Sequence, residues 1–115
     1  MPLNHVALTV SDRERSSVFY ARHFGLAERV HDDAHLLILG SPDGSLLALS
    51  EGPVPAELPR TNHFGFQVSD AEDVRTARER LREAGVAETE WQDDQGFVRV
   101  QVTDPYGYRV ELFAF

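Results

Sequence analysis

The sequence has 115 residues, enough for one compact domain with its own core, and its 42% hydrophobic and 26% charged content is ordinary for a globular protein. Its 19 acidic residues outnumber 11 basic ones, and the net charge of −8 argues against nucleic acid or an anionic membrane as the partner. There is no cysteine, which excludes disulfides, thiolate metal sites and cysteine nucleophiles, and no apolar run approaches the roughly 20 residues of a membrane span.

The first half of the chain predicts one helix and four short strands. Apolar and polar residues alternate over residues 4–10, which is the period of a strand with one buried face. Ser11 or Asp12 then caps a helix over residues 13–24, and Gly25 ends it. Three more strands are predicted, with a Ser-Pro-Asp-Gly turn before the last of them, at residues 26–31, 36–39 and 46–50.

The second half predicts the same order of elements after a linker at residues 51–61, which contains three prolines. A strand at residues 62–68 leads into a helix at 71–84 that ends at Gly85. The helix repeats apolar residues on one face, at Val74, Ala77, Leu81 and Ala84. The remaining strands are predicted at residues 86–91, 97–103 and 108–113, with turns at 93–96 and 104–107.

The two halves are copies of one unit. Residues 4–12 and 62–70 are identical at five of nine positions, at an offset of 58 residues. The Pro and Gly of the two later turns match at an offset of 63, so the second copy carries five extra residues between its helix and its turn. The duplication predicts an α+β fold in which residues 1–115 form a single domain of two βαβββ modules, 1–52 and 61–115.

Each copy opens with a histidine on the polar face of its first strand, His5 and His63. Glu111 is a carboxylate between apolar neighbours in the last strand, and burying it without a cation would cost several kcal/mol. Two imidazoles and a carboxylate on one concave face predict a facial triad for a divalent metal ion such as Fe, Mn, Ni, Co or Zn. The residue that matches Glu111 in the first copy is Ala48, which cannot bind metal.

Simpler interpretations of the same residues remain open. Glu111 can form a salt bridge with Arg99 or Arg109, and Trp91 is more typical of a core than of a substrate platform. On the inferred polar faces we nevertheless expect substrate contacts from Thr9, Gln67, Phe97, Arg99, Gln101 and Phe113.

Three segments resemble the vicinal oxygen chelate superfamily, which includes glyoxalase I, extradiol dioxygenases, fosfomycin-resistance enzymes and bleomycin-resistance proteins. They are the Asn-His strand at residues 4–12, the Ser-Val-Phe-Tyr and Phe-Gly-Leu sequences within 17–26, and Asp-Pro-Tyr-Gly-Tyr-Arg-Val-Glu-Leu at 104–112. The resemblance covers essentially the whole chain. It implies that eight strands form a cup around a metal held by His5, His63 and Glu111, and that Ala48 replaces the fourth protein ligand of glyoxalase I.

The resemblance implies a metal-dependent enzyme, a lyase, isomerase, dioxygenase or transferase, that chelates a small oxygen-rich substrate to its metal, with Glu111 as a catalytic group. The identity of the general base stays open. The alternative is a non-catalytic protein that binds a drug, as bleomycin-resistance proteins do. Family analogy favours a homodimer, whose cups close within one chain or by module exchange. Because strand-like sequence begins at once, with no signal peptide, we expect a cytoplasmic protein.

Overall fold

The computed structural model describes residues 1–115 and divides into two compact units, Met1–Ala56 and Glu57–Phe115. Each unit has the element order β-α-β-β-β and one four-stranded sheet, so the predicted α+β fold with two βαβββ modules is confirmed. The boundary between the units lies in the proline-containing segment predicted as the linker. Neither helix is long and apolar enough to cross a membrane.

The first unit contains β1 (His5–Val10), α1 (Arg13–Phe24), β2 (Glu28–Asp32), β3 (Leu37–Gly40) and β4 (Leu46–Glu51). Its sheet has the order β1-β4-β3-β2, with β1 parallel to β4 and the other pairs antiparallel. The predicted helix bounds are confirmed: the Asp12 carboxylate accepts hydrogen bonds from the backbone N–H groups of Glu14 and Arg15, and Gly25 ends α1 with a φ of 71°.

The second unit contains β5 (His63–Gln67), α2 (Ala71–Glu83), β6 (Glu88–Asp94), β7 (Phe97–Thr103) and β8 (Arg109–Ala114). Its sheet has the corresponding order, β5-β8-β7-β6, again with one parallel pair, β5 and β8. Asp70 caps α2 as predicted, and Gly85 follows the helix with a φ of 77°.

Two predictions for the second unit were wrong in detail. Asp93 and Asp94 belong to β6 rather than to a turn, and the loop of the β6–β7 hairpin is only Gln95 and Gly96, which has a φ of 88°. The misplacement arose because polar residues lie on both faces of β6, where Asp93 pairs with Arg75 of α2 at 2.9 Å. Ala84 is exposed at the C-cap of α2, so the buried face of the helix ends at Leu81.

The extra residues of the second copy lengthen its central hairpin. The strands β6 and β7 have seven residues each, against five in β2 and four in β3, and a two-residue loop replaces the loop at 33–36. Every residue of β2 is exposed, whereas the middle of β6 is half-buried. The second sheet therefore has a broader surface than the first.

In each unit the apolar residues of alternate strand positions form a core on the side of the sheet that carries the helix. In the first unit these are mainly leucines, joined by Phe19 and Tyr20 of α1: Leu8, Val10, Leu37, Leu39, Leu47 and Leu49. In the second unit they are mainly valines, joined by Val74, Ala77 and Leu81 of α2: Val98, Val100, Val102 and Val110. The opposite face of each sheet has no helix of its own unit, and the predicted site residues lie on those faces.

Candidate functional site

The helix-free face of the second sheet collects most of the predicted site residues. Gly65 of β5 is the register partner of Glu111 in β8, which in turn pairs with Gln101 of β7, and Arg99 pairs with Phe113. Residues directly opposite in a sheet project from the same face. Seven predicted residues therefore share this face: His63, Gln67, Phe97, Arg99, Gln101, Glu111 and Phe113.

The ring orientation of His63 leaves one nitrogen available. Its Nδ1 lies 2.8 Å from the backbone carbonyl oxygen of Thr61. A carbonyl oxygen only accepts, so Nδ1 must carry the hydrogen and donate it. The neutral ring then keeps its lone pair on Nε2, and because His63 is exposed that nitrogen is accessible to a ligand.

Glu111 is buried, at 7% exposed, and its carboxylate has a cationic partner. Arg99 Nη1 donates to Glu111 Oε1 at 2.8 Å, which resolves the two salt bridges predicted from the sequence. The other candidate, Arg109, donates instead to the carbonyl oxygen of Pro59 at 3.0 Å. The charge of Glu111 is thus neutralised within the protein through one of its two oxygens.

The second oxygen of Glu111 lies over a glycine. A Cβ at Gly65 would be 3.4 Å from Glu111 Oε2 and 3.3 Å from Cε1 of Phe113. Any larger side chain at this position would press on the carboxylate or on the ring. The glycine therefore lets the carboxylate lie directly over β5, two residues after His63.

Arg99 is held by more than Glu111. Its Nε donates to Gln92 Oε1 at 3.2 Å, and its Nη2 lies 3.9 Å from Glu90 Oε2. Gln92 and Glu90 both belong to β6 and were missed from the sequence. Glu90 already lay in the strand predicted at 86–91, and extending that strand through residue 94 would have added Gln92, since Gln92 pairs with Arg99 and Glu90 with Gln101.

An aromatic cluster covers part of the same face. The ring centroids of Phe97, Phe113 and Phe115 are 5.5 to 6.3 Å apart, and Phe115 is 74% exposed. The sequence had pointed to the first two rings but not to Phe115. Trp91 lies on the opposite face, where the Arg78 guanidinium is 4.1 Å from its ring centroid.

Two predicted substrate contacts differ in how accessible they are. Gln101 is 4% exposed, and its side-chain oxygen accepts a hydrogen bond from the Thr89 hydroxyl at 2.9 Å. Gln67, at the end of β5, is exposed. Gln101 therefore supports the floor of the face, whereas Gln67 is available to a bound molecule.

The helix-free face of the first sheet has the same register with different residues. Ala7 pairs with Ala48 and Ile38 with Ala48, as Gly65 and Gln101 pair with Glu111. His5 begins β1 and is exposed, with Nδ1 3.3 Å from Asn4 Oδ1. Thr9, on the same face, is half-buried. The first sheet thus offers an imidazole but no carboxylate at its centre.

No group of three or more His, Asp or Glu side chains in the structure is arranged to hold a metal ion. Of the three predicted donors, His63 and Glu111 lie on one face of the second sheet, and His5 begins β1 of the first. Two neutral imidazoles and a carboxylate are donors suited to divalent ions of the first transition series. The chemistry of the predicted donors therefore fits such an ion.

Known proteins are similar to this chain in both sequence and fold. A probable trivalent organoarsenical cleaving enzyme of Bacillus subtilis is 32% identical over 114 residues, covering 95% of this chain and 77% of that protein. A possible glyoxalase from Bacillus cereus superposes with a TM-score of 0.80 at 27% identity, over 97% of both chains. The fosfomycin resistance protein FosX from Listeria monocytogenes, solved with Mn(II) and sulfate, gives 0.83 at 25% identity, over 98% of this chain and 89% of that chain.

The family follows from the length of the sequence match together with the fold. The sequence model of the Glyoxalase/Bleomycin resistance protein/Dioxygenase superfamily matches residues 2–112, nearly the whole chain. This match confirms the resemblance seen in the motifs. The chain belongs to the Glyoxalase/Bleomycin resistance protein/Dioxygenase superfamily.

Proposed function

We propose that this chain is a metal-dependent enzyme acting on a small oxygen-rich substrate, with His5, His63 and Glu111 as its ligands to a divalent metal ion. The observation that carries the proposal is the hydrogen bond from His63 Nδ1 to the Thr61 carbonyl oxygen, at 2.8 Å. Histidines that bind metals almost always donate their other ring N–H to a carbonyl or carboxylate, which fixes the tautomer and orients the ring.

The surroundings of Glu111 and His5 support the same assignment. Arg99 occupies Glu111 Oε1 and leaves Oε2 over Gly65, on the face that also carries His63. His5 has an oxygen acceptor beside Nδ1, as His63 has, although the contact to Asn4 is longer, at 3.3 Å. FosX, a relative by fold, was solved with Mn(II), which supports a divalent ion in this family.

The roles of this chain's residues follow from their positions. When bound, a divalent metal ion would act as a Lewis acid that polarises a substrate oxygen. Glu111 is the buried carboxylate of the face, and we propose that it also takes the proton that the substrate loses. Phe97, Phe113 and Phe115 form an apolar surface for the less polar part of the substrate, and Gln67 is placed to donate a hydrogen bond.

The donor atoms of this chain do not favour the arsenical chemistry for which the Bacillus subtilis relative is named. Trivalent arsenic is a soft centre that binds thiolates in preference to oxygen or nitrogen, and this chain contains no cysteine. The polar groups of the face are oxygen and nitrogen donors. They suit a substrate that presents oxygen atoms to a metal ion, such as a hemithioacetal, a catechol or an epoxide antibiotic.

The test combines metal analysis with an activity screen. The purified protein would be reconstituted with Fe, Mn, Ni, Co or Zn and assayed on those three substrate classes. His63→Ala should lose the bound ion and any activity. His35→Ala, which removes an exposed histidine from the 33–36 loop, should keep both and serves as the matched control. Stoichiometric metal in His63→Ala would refute the assignment.

A second candidate function is ligand binding without turnover, as in bleomycin-resistance proteins. The specific observation in its favour is that Glu111 already has a cation in Arg99, so the face needs no metal for charge balance. Tight ligand binding that persists in EDTA would favour this candidate. Ligand binding that requires a stoichiometric ion would favour the enzyme.

We also propose, by family analogy, that the protein is a homodimer. Size-exclusion chromatography with light scattering would give the mass in solution. A monomeric mass across the working concentration range would contradict the proposal.

A further inference from the structure

Arg99 lies between two carboxylates that differ in burial. Its Nη1 is 2.8 Å from Glu111, whose side chain is 9% exposed, and its Nη2 is 3.9 Å from Glu90, whose side chain is 41% exposed. Its Nε is bonded to Gln92 at 3.2 Å. The guanidinium is thus anchored at one nitrogen and has two acidic partners for the others.

The tighter partner is the one that needs a cation. A buried carboxylate that loses its counter-ion strongly destabilises the folded chain, whereas a more exposed one is stabilised by water. Without a bound metal ion, Arg99 therefore forms its stronger ion pair with Glu111 and a weaker one with Glu90.

A divalent ion at Glu111 changes this balance. Once the metal neutralises the carboxylate, Glu111 no longer requires Arg99, and the two cations repel each other across a short distance. Glu90 then offers the guanidinium a carboxylate on β6, two strands away from Glu111 in the sheet. Gln92 can hold Nε during this shift because it is the register partner of Arg99 on β6, the strand that also carries Glu90.

We propose, resting on the metal-binding role proposed above, that Arg99 is an internal counter-ion that occupies Glu111 until a divalent metal ion binds and then moves to Glu90. Arg99 lowers the metal affinity of the site by competing for Glu111. Glu90 raises that affinity by accepting the displaced guanidinium. Arg99 is in this sense a positioning residue, since it acts through Glu111.

The test is a titration with Mn(II), followed by calorimetry and by the electron paramagnetic resonance signal of the free ion. Arg99→Gln should raise the affinity for Mn(II) about tenfold, because a nearby cation shifts the cation affinity of a carboxylate by that order. Without metal, the same variant should unfold at a lower temperature than the parent chain, and Mn(II) should raise its unfolding temperature by more. Arg109→Gln removes the same charge from the same face without touching Glu111, and should change the affinity little.

The role of Glu90 is tested by a double-mutant cycle. Glu90→Gln should weaken Mn(II) binding roughly two- to fivefold when Arg99 is present, the range of an exposed ion pair. In the Arg99→Gln background it should have almost no effect, because no guanidinium remains to be accepted. Because the Glu90 side chain is partly exposed, Glu90→Gln should fold and can be measured even if Arg99→Gln does not fold without metal.

Two outcomes overturn the inference. Weaker Mn(II) binding in Arg99→Gln would mean that Arg99 only orients Glu111 for the metal. An equal effect of Glu90→Gln with and without Arg99 would mean that Glu90 acts by its charge alone. Failure of the proposed function is separate, since it would be seen as Mn(II) binding that is unchanged in Glu111→Gln and in His63→Ala.

Discussion

The two sheets have the same topology and register but carry different chemistry on their helix-free faces. At the centre of the second face, Glu111 lies over Gly65, beside Gln101. The corresponding centre of the first face consists of Ala48, Ala7 and Ile38. Both copies therefore share one backbone topology and strand register, but the carboxylate and the residues that accommodate it occur only in the second copy.

The difference involves more than a single residue. Glu111 has a glycine beneath it, where the first copy has Ala7, and a cation beside it. At the offset of 63 residues, the first copy has Leu36 in the place of Arg99. The buried carboxylate of Glu111 is thus accommodated by Gly65 and Arg99 together. The first copy has neither a glycine nor an arginine at the equivalent positions.

The largest effect on Mn(II) affinity is expected when Glu111 is replaced by alanine, the residue at the equivalent position of the first sheet. Glu111→Ala removes the proposed carboxylate ligand, and we expect Mn(II) affinity to fall by about a hundredfold or more, with loss of activity. Calorimetric titration measures the affinity. Ser50→Ala, a change on the helix-free face of the first sheet, is the control and should leave the affinity unchanged. Near-parental affinity in Glu111→Ala would remove this residue from the metal site.

The reverse conversion should destabilise the chain. Ala48→Glu places a carboxylate on a half-buried face with no arginine beside it, and we expect the free energy of unfolding to fall by about 1–3 kcal/mol. Adding Leu36→Arg should recover part of this loss because it restores the arrangement of Glu111 and Arg99. Urea denaturation of the two single variants and the double variant gives the coupling energy. A coupling near zero would show that the two faces are not equivalent in this respect.

Gly65→Ala introduces the residue that the first sheet has at the equivalent position, Ala7. It should affect the free energy of unfolding and the Mn(II) affinity differently. The new Cβ would lie 3.3 Å from the Phe113 ring and 3.4 Å from Glu111 Oε2, so both must shift by a few tenths of an ångström. Alanine in a strand gains roughly 0.5–1 kcal/mol over glycine, which offsets the crowding. We therefore expect little change in unfolding free energy but a several-fold loss of Mn(II) affinity. A loss of stability without a loss of affinity would contradict this account.

The sequence was sufficient for most of the fold because its signals are local. Asp12 and Gly25 mark the ends of α1, and the alternation in residues 97–103 marks β7. The bounds of β6 were missed because its two faces are both polar, one turned to the arginines of α2 and the other to Arg99. Periodicity cannot separate such a strand from a loop.

The site was predicted as a set of residues but not as a set of contacts. The repeat offset identified His63, Glu111 and the alanine that replaces the glutamate. It could not choose between Arg99 and Arg109 as the partner of Glu111, since both lie near it in the sheet. That choice depends on the carbonyl oxygen of Pro59, which binds Arg109 and lies in a segment without a periodic pattern.

The smallest effect is expected for Asp33, in the loop between β2 and β3, because the corresponding loop of the second copy has no equivalent carboxylate. In the longer loop of the first copy, Asp33 accepts hydrogen bonds from the backbone N–H groups of His35 and Leu36 and from the His31 ring. The backbone bond from His35 is the largest of the causes that lower the pKa of Asp33 to about 2 from an ordinary value of 3.8. The loop of the second copy has only two residues, with Gly96 in the left-handed conformation, and no such carboxylate.

A carboxylate whose pKa is lower in the folded chain stabilises that state above its unfolded pKa and loses the contribution as the pH falls through the folded value. Asp33 should therefore stabilise the chain fully above about pH 4 to 5, and the contribution should fade toward pH 2. Asp33→Asn should lower the unfolding temperature at pH 7 and approach the parent chain toward pH 2. Since Asp33 is exposed, the difference should be small, and thermal unfolding across the pH range measures it. A gap that stays constant down to pH 2 would show that the hydrogen bonds, rather than the ionised charge, stabilise the loop.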